Sequence, residues 1–406
     1  MTAQADVTRV RSAAQALASA TALSAAFAEG AATRDAARAL PVEHIQALKD
    51  SGLLALSVPT TFGGLQVSAE VLAEVFRLLA HGDPSIAQIP HSHYVFLEAL
   101  RLQGTPEQQE FLFGLVFDGA LLANAQTERG PHLVDVDATM LVPDGAGAYA
   151  LSGRKFYATG SLFADWLVVR ASLSDGTLTT PNSTTPKAIA FIPADAPGVE
   201  VVDDWDGMGQ RTTASGTVTL DSVRVPADHV VAFTPIFGRP TVYGARAQLL
   251  HAALDVGIAT AALAEGVRQA AKARPHFEAG VDVATEDPTL IQAAGQVTVS
   301  VRGAQALLSE AARRVDAAQL DLTDDSAAEA SIAVATAKVA AVRSALEASS
   351  ALFEFGGTRS ATASANLTRY WRDARTHTLH DATRWKLQHI GRYTLSGTKP
   401  PRHGQI

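Results

Sequence analysis

The spacing of apolar residues changes character twice along this chain, and few architectures accommodate both changes. Up to about residue 120 the pattern is helical, with apolar residues three and four apart over 69–79 and 85–102. Leu40-Pro41-Val42-Glu43 opens one helix with a proline where a missing N–H does least harm, and Asp50-Ser51-Gly52 stops it. Pro106 opens another that ends near Gly119. From about 120 to 232 apolar residues alternate, with Gly, Pro, Asp, Ser and Thr breaking the pattern about every ten residues. Tyr149-Ala150-Leu151-Ser152-Gly153, Trp166-Leu167-Val168-Val169, Ala188-Ile189-Ala190-Phe191-Ile192 and Thr217-Val218-Thr219-Leu220 read as strands. From about 240, helical spacing returns in long Ala-rich segments at 241–280, 287–319, 326–355 and 365–395. The expected fold is therefore α+β and multidomain. It has an N-terminal helical domain (1–120), a central antiparallel β-barrel-like domain (121–235) and a C-terminal four-helix bundle (236–406). A length of 406 residues suits two or three such units.

Composition removes several function classes. A net charge of −8, with no Lys/Arg-rich run interleaved with aromatics, argues against a nucleic-acid surface. The absence of cysteine excludes disulfides, thiolate chemistry and iron–sulfur clusters, and is compatible with a cytoplasmic location. Asp6, Arg9 and Arg11 interrupt the alanine-rich start, so an amphipathic helix is expected there rather than a secretory leader. No run of about 18 apolar residues stands out, so no membrane span is expected. Signatures for nicotinamide dinucleotides, nucleotide phosphates, zinc proteases and serine hydrolases are all missing. A redox cofactor would have to bind in some other way.

Three hydroxyl-rich loops punctuate the strand region: Asn124-Ala125-Gln126-Thr127-Glu128-Arg129-Gly130, Gly153-Arg154-Lys155-Phe156-Tyr157-Ala158-Thr159-Gly160-Ser161, and Gly207-Met208-Gly209-Gln210-Arg211-Thr212-Thr213-Ala214-Ser215-Gly216. Singly each reads as a turn. In this order they resemble the flavin-binding β domain of acyl-CoA dehydrogenases. That resemblance implies that Thr127, Thr159 and Ser161 face the flavin ring with Tyr157 beside it. Arg274-Pro275-His276-Phe277 resembles the family's "R-x-x-F", whose Arg and Phe reach a neighbouring subunit's flavin. Arg274 and Phe277 are thus implied cofactor contacts, and a homo-oligomer, a dimer of dimers, is implied with them.

The stretch Arg372-Asp373-Ala374-Arg375-Thr376-His377-Thr378-Leu379-His380-Asp381 is similar to the dehydrogenase pattern that ends in a catalytic glutamate. Asp381 takes the glutamate's place and His380 that of a tyrosine. An aspartate is one methylene shorter, which leaves it about an ångström short of a proton transfer that needs close contact. The cofactor loops differ too. The first continues Pro131-His132-Leu133-Val134-Asp135, and the bundle carries Phe353-Glu354-Phe355-Gly356-Gly357-Thr358-Arg359 where FAD-binding relatives have Q-x-x-G-G-x-G. Gly356 and Gly357 match, while Arg359 adds a cation suited to a terminal phosphate. FMN, used as FMNH2, is therefore favoured over FAD.

Pro84-Ser85-Ile86-Ala87-Gln88-Ile89-Pro90 and Asp203-Asp204-Trp205-Asp206-Gly207-Met208-Gly209-Gln210 extend the resemblance to the family's flavin-monooxygenase branch, the sulfur-acquisition and dibenzothiophene monooxygenases. His91 and His93 stand two apart, so at most one faces a given pocket; the resemblance favours His93. His377 and His380 share a helical face, but no further ligand cluster accompanies them and no metal is expected. The reading that follows is a two-component monooxygenase fed with reduced FMN by a separate NAD(P)H:flavin reductase. It uses O2 to oxygenate a small organosulfur compound. Ser161 is assigned to flavin N5 or its oxygen adduct, His93 and His380 to proton handling, Asn124 to flavin orientation and Trp205 to the substrate side. Two alternatives stand beside it: an FAD-dependent acyl-CoA dehydrogenase with Asp381 as base, and a non-catalytic flavin-binding protein.

Overall fold

Helices whose first turns are capped by short polar side chains build the N-terminal third. The computed structural model describes residues 7–130, 133, 135–145, 147–178 and 180–406. Its first helices are α1 (Ala13–Ala28), α2 (Ala31–Ala37), α3 (Val42–Asp50), α4 (Ala69–Gly82), α5 (Pro84–Gln88), α6 (His91–Gln103) and α7 (Pro106–Phe117). Ser68 caps α4 and Asp83 caps α5, while Thr105 and Gln108 form a reciprocal capping box ahead of α7. α4 buries Leu72, Val75, Phe76 and Leu79 on one face. α6 is buried from His91 through Leu100, so it runs through the core rather than over it.

The strands follow: β1 (Leu122–Ala125), β2 (Met140–Pro143), β3 (Ala148–Ala158), β4 (Trp166–Leu173), β5 (Lys187–Pro193), β6 (Val199–Val202), β7 (Gly216–Pro226) and β8 (Val230–Ala232). They form one sheet in the order β6-β7-β3-β2-β4-β5-β8, with β1 paired to β4. The sheet is mixed, which corrects the expectation of an antiparallel domain: β4 runs parallel to both β1 and β2. Only one strand, β3, separates β2 from β4, so the chain reverses twice and returns in its original direction. The alternation within β4 and β5 divides their side chains between two cores. Val168, Ile189 and Phe191 join the helical core, whereas Leu167, Val169, Ala190 and Ile192 fill the sheet's own interior.

The C-terminal region holds α8 (Tyr243–Ala270), α9 (Pro288–Leu320), α10 (Asp324–Gly356), α11 (Thr368–His377) and α12 (Thr383–Ser396). The expected fourth long helix is thus two, broken where 378–382 turn. α8 is long and apolar enough to cross a membrane by composition, but 83% of its most apolar window is buried inside the protein, as befits a core helix. Gly257 permits the crossing of α8 with α4, since a Cβ there would stand 2.6 Å from Ala80 Cβ.

Candidate functional site

Two walls of different chemistry carry the residues of interest. The first is built at the ends of β1 and β3. Gly160, at φ +81°, turns the chain so that Ser161 follows in a short 3-10 turn. Gly160 N–H donates to Thr213 O at 2.9 Å, and Thr159 Oγ1, Ser215 Oγ and Thr213 Oγ1 form a hydroxyl chain with contacts of 2.8 and 2.7 Å. Asn124 Nδ2 donates to Tyr157 O at 3.1 Å. Tyr157 stands edge-on to Trp205, whose Nε1 donates to Gln210 O at 2.8 Å. Thr127 is fixed from below. Its carbonyl accepts from Phe156 N–H, and the fully buried Lys155 pairs with the adjoining Glu128 at 2.7 Å and with Asp137 at 3.3 Å.

Two polar atoms in this wall stand out. Ser161 Oγ and Asn124 Oδ1 are buried and have no hydrogen-bond partner among the described residues. Leaving such atoms unpaired costs about 1–3 kcal/mol each, so their presence argues for a polar ligand that completes them. A flavin ring edge, with alternating donors and acceptors, suits a hydroxyl and an amide oxygen side by side.

The second wall is helical and histidine-rich. His91 at the start of α6 stacks on His251 of α8 with ring centroids 3.7 Å apart, and His380 lies on His251 at 4.0 Å. His251 Nδ1 meets His377 Nε2 at 3.0 Å, and His377 Nδ1 donates to Asp255 Oδ1 at 2.5 Å. Asp255 Oδ2 also accepts from Lys338 Nζ of α10 at 2.6 Å. Burial holds His91 down to about 3 and His251 well below the usual imidazole range, so both are neutral at pH 7. His380 is exposed to solvent on its outer side, while the protein packed behind it lowers its pKa to about 4.

One segment joins the walls. Gln210 N–H donates to Asp373 of α11 at 2.6 Å, while its side-chain amide reaches Gln88 of α5 at 3.3 Å. Gly209 lies so close to α11 that a Cβ would stand 2.0 Å from Arg372 O. On the other side, a Cβ on Gly160 would stand 3.0 Å from Ile89, which leads into His91. The Ser161 turn, the helices that carry His91 and His377, and the turn after α11 that carries His380 are therefore held together. Hollows of about 310 and 170 Å³ lie elsewhere, beside Val7–Arg11 and beside the last eight residues, and no residue of either wall lines them.

Not every expected residue joins this group. His93 is fully buried, but its Nε2 donates to Leu54 O at 2.9 Å and its Nδ1 accepts from Leu122 N–H at 3.1 Å. Both nitrogens are committed to backbone, so the expected proton role of His93 is corrected; it is His91 that enters the histidine stack. Asp381 pairs with Lys386 at 3.2 Å, its side chain 5% exposed, and serves as that lysine's counterion. Burial raises its pKa, yet Lys338 and Lys386 outweigh this and hold it low. Arg359 donates to Gln269 O and Gly356 packs on Gln269, at the far end of α8 from His251. Eighteen residues of helix separate them by about 27 Å. Arg274 is exposed and Phe277 is 85% exposed, just beyond that end of α8. The expected cofactor set thus divides into two groups that one chain does not bring together. Pro131, His132 and Val134 of the first loop lie outside the described residues.

Sequence reasoning missed His251, Asp255 and Lys338. Their signal was present: His251 and Asp255 stand four apart, and Lys338 is a lone cation in an otherwise apolar stretch of α10.

Comparison with known proteins agrees with this geometry. Residues 10–119 match the acyl-CoA dehydrogenase N-terminal domain, and residues 249–385 match the acyl-CoA dehydrogenase C-terminal domain. The chain is 33% identical to the Probable FMNH2-dependent monooxygenase SfnC of Pseudomonas putida, over 95% of this chain and 96% of that protein. It is 33% identical to the dibenzothiophene monooxygenase of Rhodococcus qingshengii, over 91% and 90% of the two chains. The solved structure of FMN-bound TdsC from Paenibacillus sp. A11-2 superposes with a TM-score of 0.90 at 32% identity, covering 96% of this chain and 100% of that one. The chain belongs to the acyl-CoA dehydrogenase family and, within it, to the flavin-monooxygenase branch.

Proposed function

We propose that this protein is the oxygenase of a two-component system, in which reduced FMN from a separate NAD(P)H:flavin reductase and O2 convert a small organosulfur compound to its oxygenated product. The observation that carries this reading is the pairing of Ser161 Oγ and Asn124 Oδ1, buried and unpartnered, with the neutral, stacked His91 and His251, while the carboxylate nearby, Asp381, faces the ammonium of Lys386. Bound and reduced, the flavin supplies the two electrons that let O2 give one oxygen atom to the sulfur and the other to water.

The chain's own residues position and protect. Ser161 hydrogen-bonds the ring edge, its turn fixed by Gly160, and Asn124 is held by Tyr157 O so that its amide oxygen presents outward. Tyr157 and Trp205 flank the substrate side. His91 and His251, both desolvated, handle protons at their remaining ring nitrogens, since His91 Nε2 is held by Ala247 O at 3.0 Å and His251 Nδ1 by His377, with His380 between them and solvent. Keeping these rings neutral and dry limits premature loss of oxygen as peroxide.

The distant group Arg274, Phe277, Gly356, Gly357 and Arg359 serves the flavin of a second copy. A homo-oligomer, a dimer of dimers, would cover Phe277 and the exposed Ile291, Val299, Trp385 and Leu395. The proposed location is the cytoplasm, where a flavin reductase would supply FMNH2.

Titrating the protein with FMN and FAD, followed by flavin fluorescence, tests the cofactor: FMN binds more tightly, and S161A weakens it. Adding reductase, NADH and a panel of organic sulfides and sulfinates tests the reaction. Anaerobic bleaching of bound flavin by acyl-CoA thioesters, with no oxygen-dependent product, would overturn the proposal in favour of dehydrogenation by Asp381.

A further inference from the structure

Asp255 and Lys338 have no evident structural purpose. They face each other at 2.6 Å between α8 and α10, with side chains 0% and 1% exposed, on helices whose buried residues are mostly alanine, valine and leucine. Desolvating such a pair costs as much as its attraction returns, and apolar residues of similar size would stabilise the helices at least as well. The spare carboxylate oxygen is the one that binds His377.

The hydrogen bonds fix the protons. A carboxylate only accepts, so His377 Nδ1 carries a hydrogen. With His377 neutral, its Nε2 accepts from His251 Nδ1–H, which leaves His251 Nε2 with a lone pair that meets no hydrogen-bond donor among the described residues. We propose that Asp255 and Lys338 make the His251–His377 pair a proton store. An N–H bond forms at His251 Nε2, the Nδ1–H bond of His251 breaks, and that proton joins His377 Nε2. The charge comes to rest as a His377 imidazolium against Asp255, one ring away from where it entered. Lys338 offsets the carboxylate, so Asp255 draws a proton to His377 less strongly than an unpaired carboxylate would. Asp255 and Lys338 are positioning residues that act through His377.

The charged and titratable groups facing this pair are His91 on α6, Asp255 on α8, Lys338 on α10, and His380, Asp381 and Lys386 around the turn into α12. Its use in catalysis rests on the monooxygenase reading; its existence does not, and is tested in flavin-free protein.

The test follows the 15N signals of histidine-labelled, sedimented protein against pH, with His377 assigned by its loss in H377Q. Lys338→Met leaves Asp255 unbalanced, and the pH at which His377 takes up a proton rises by about 1 unit or more. Asp255→Asn leaves Lys338 unbalanced, and that pH falls by about 1 unit or more. Should D255N not fold, the D255N/K338M double variant carries no unpaired charge and titrates below wild type. Shifts of the same sign in the two single variants, no shift in either, or a double variant at or above wild type would overturn the store. Product formed per reduced flavin should follow the same opposite displacements along pH. Opposite NMR shifts with an unmoved yield would leave the store standing and count against the monooxygenase reading.

Discussion

The strand wall and the helical wall of the site are assembled in opposite ways. The strand wall gathers Asn124, Tyr157, Thr159, Ser161 and Thr213 from loops joined by adjacent strands, through hydroxyl and backbone contacts. The helical wall draws His91, His251, Lys338 and His377 from four helices spread over nearly 290 residues of chain. A wall of hydroxyls and amides orients a flat heterocycle but cannot carry charge at neutral pH; a wall of buried imidazoles moves protons but offers little directional grip. The division teaches that cofactor placement and proton handling are separable here, and substitutions should separate them.

The largest effect is expected in the helical wall. His380→Ala should cut product per reduced flavin about 100-fold, with peroxide released in its place and FMN affinity little changed. Coupled product and peroxide assays check this; an unchanged ratio would break the division. Ser161→Ala should weaken FMN binding and coupling together by about 10-fold, as for one lost hydrogen bond, in a fluorescence titration and the same coupling assay.

The two neighbouring histidines sharpen the contrast. His93→Phe strips partners from Leu54 O and Leu122 N–H, which should cost about 2–5 kcal/mol in urea unfolding while activity per folded molecule changes less than about threefold. His91→Phe strips a single backbone partner, Ala247 O, so it should cost less stability than His93→Phe while lowering activity per folded molecule more. The acid limb of stability adds a second reading. Burial sets His93 at about 4 against 6.5 when unfolded, so the unfolded chain binds the extra proton, and stability is lost as pH falls from 6.5 toward 4. His93→Phe should flatten that slope.

The smallest effect concerns the strap between the walls. Burial, with Asp83 and Asp35 nearby, raises Asp373 to about 8 against 3.8 when unfolded. The folded state therefore holds a proton that the unfolded state lacks, and the associated stability is present below pH 3.8 and is lost as pH rises through 8. Asp373→Asn keeps the acceptor for Gln210 N–H and should be more stable than the parent at pH 9, by on the order of 1 kcal/mol, in unfolding titrations at pH 6 and 9.

The strand wall was legible in the sequence because its residues lie within short motifs: Thr159, Gly160 and Ser161 are consecutive, and Gly160 must be glycine to turn them. The switch from helix to strand and back was legible for the same reason, since periodicity is local. The mixed sheet was not, because pairing β1 and β2 with β4 depends on where long connections return. Nor was the histidine stack. His91 and His93 differ in role only through partners 29 to 160 residues away, such as Leu122, Leu54 and His251. The placement of Arg359 and Phe277 far from Ser161 likewise depends on helix length, which a motif does not reveal.

One measurement addresses the central claim that both walls serve oxygen transfer from a reduced flavin. The protein is supplied with chemically reduced FMN and an organic sulfide under 18O2, and the product is weighed by mass spectrometry. The account predicts one 18O atom per product molecule, and no product without reduced flavin. Product carrying oxygen from water alone, or none formed while acyl-CoA thioesters bleach the flavin, would contradict it.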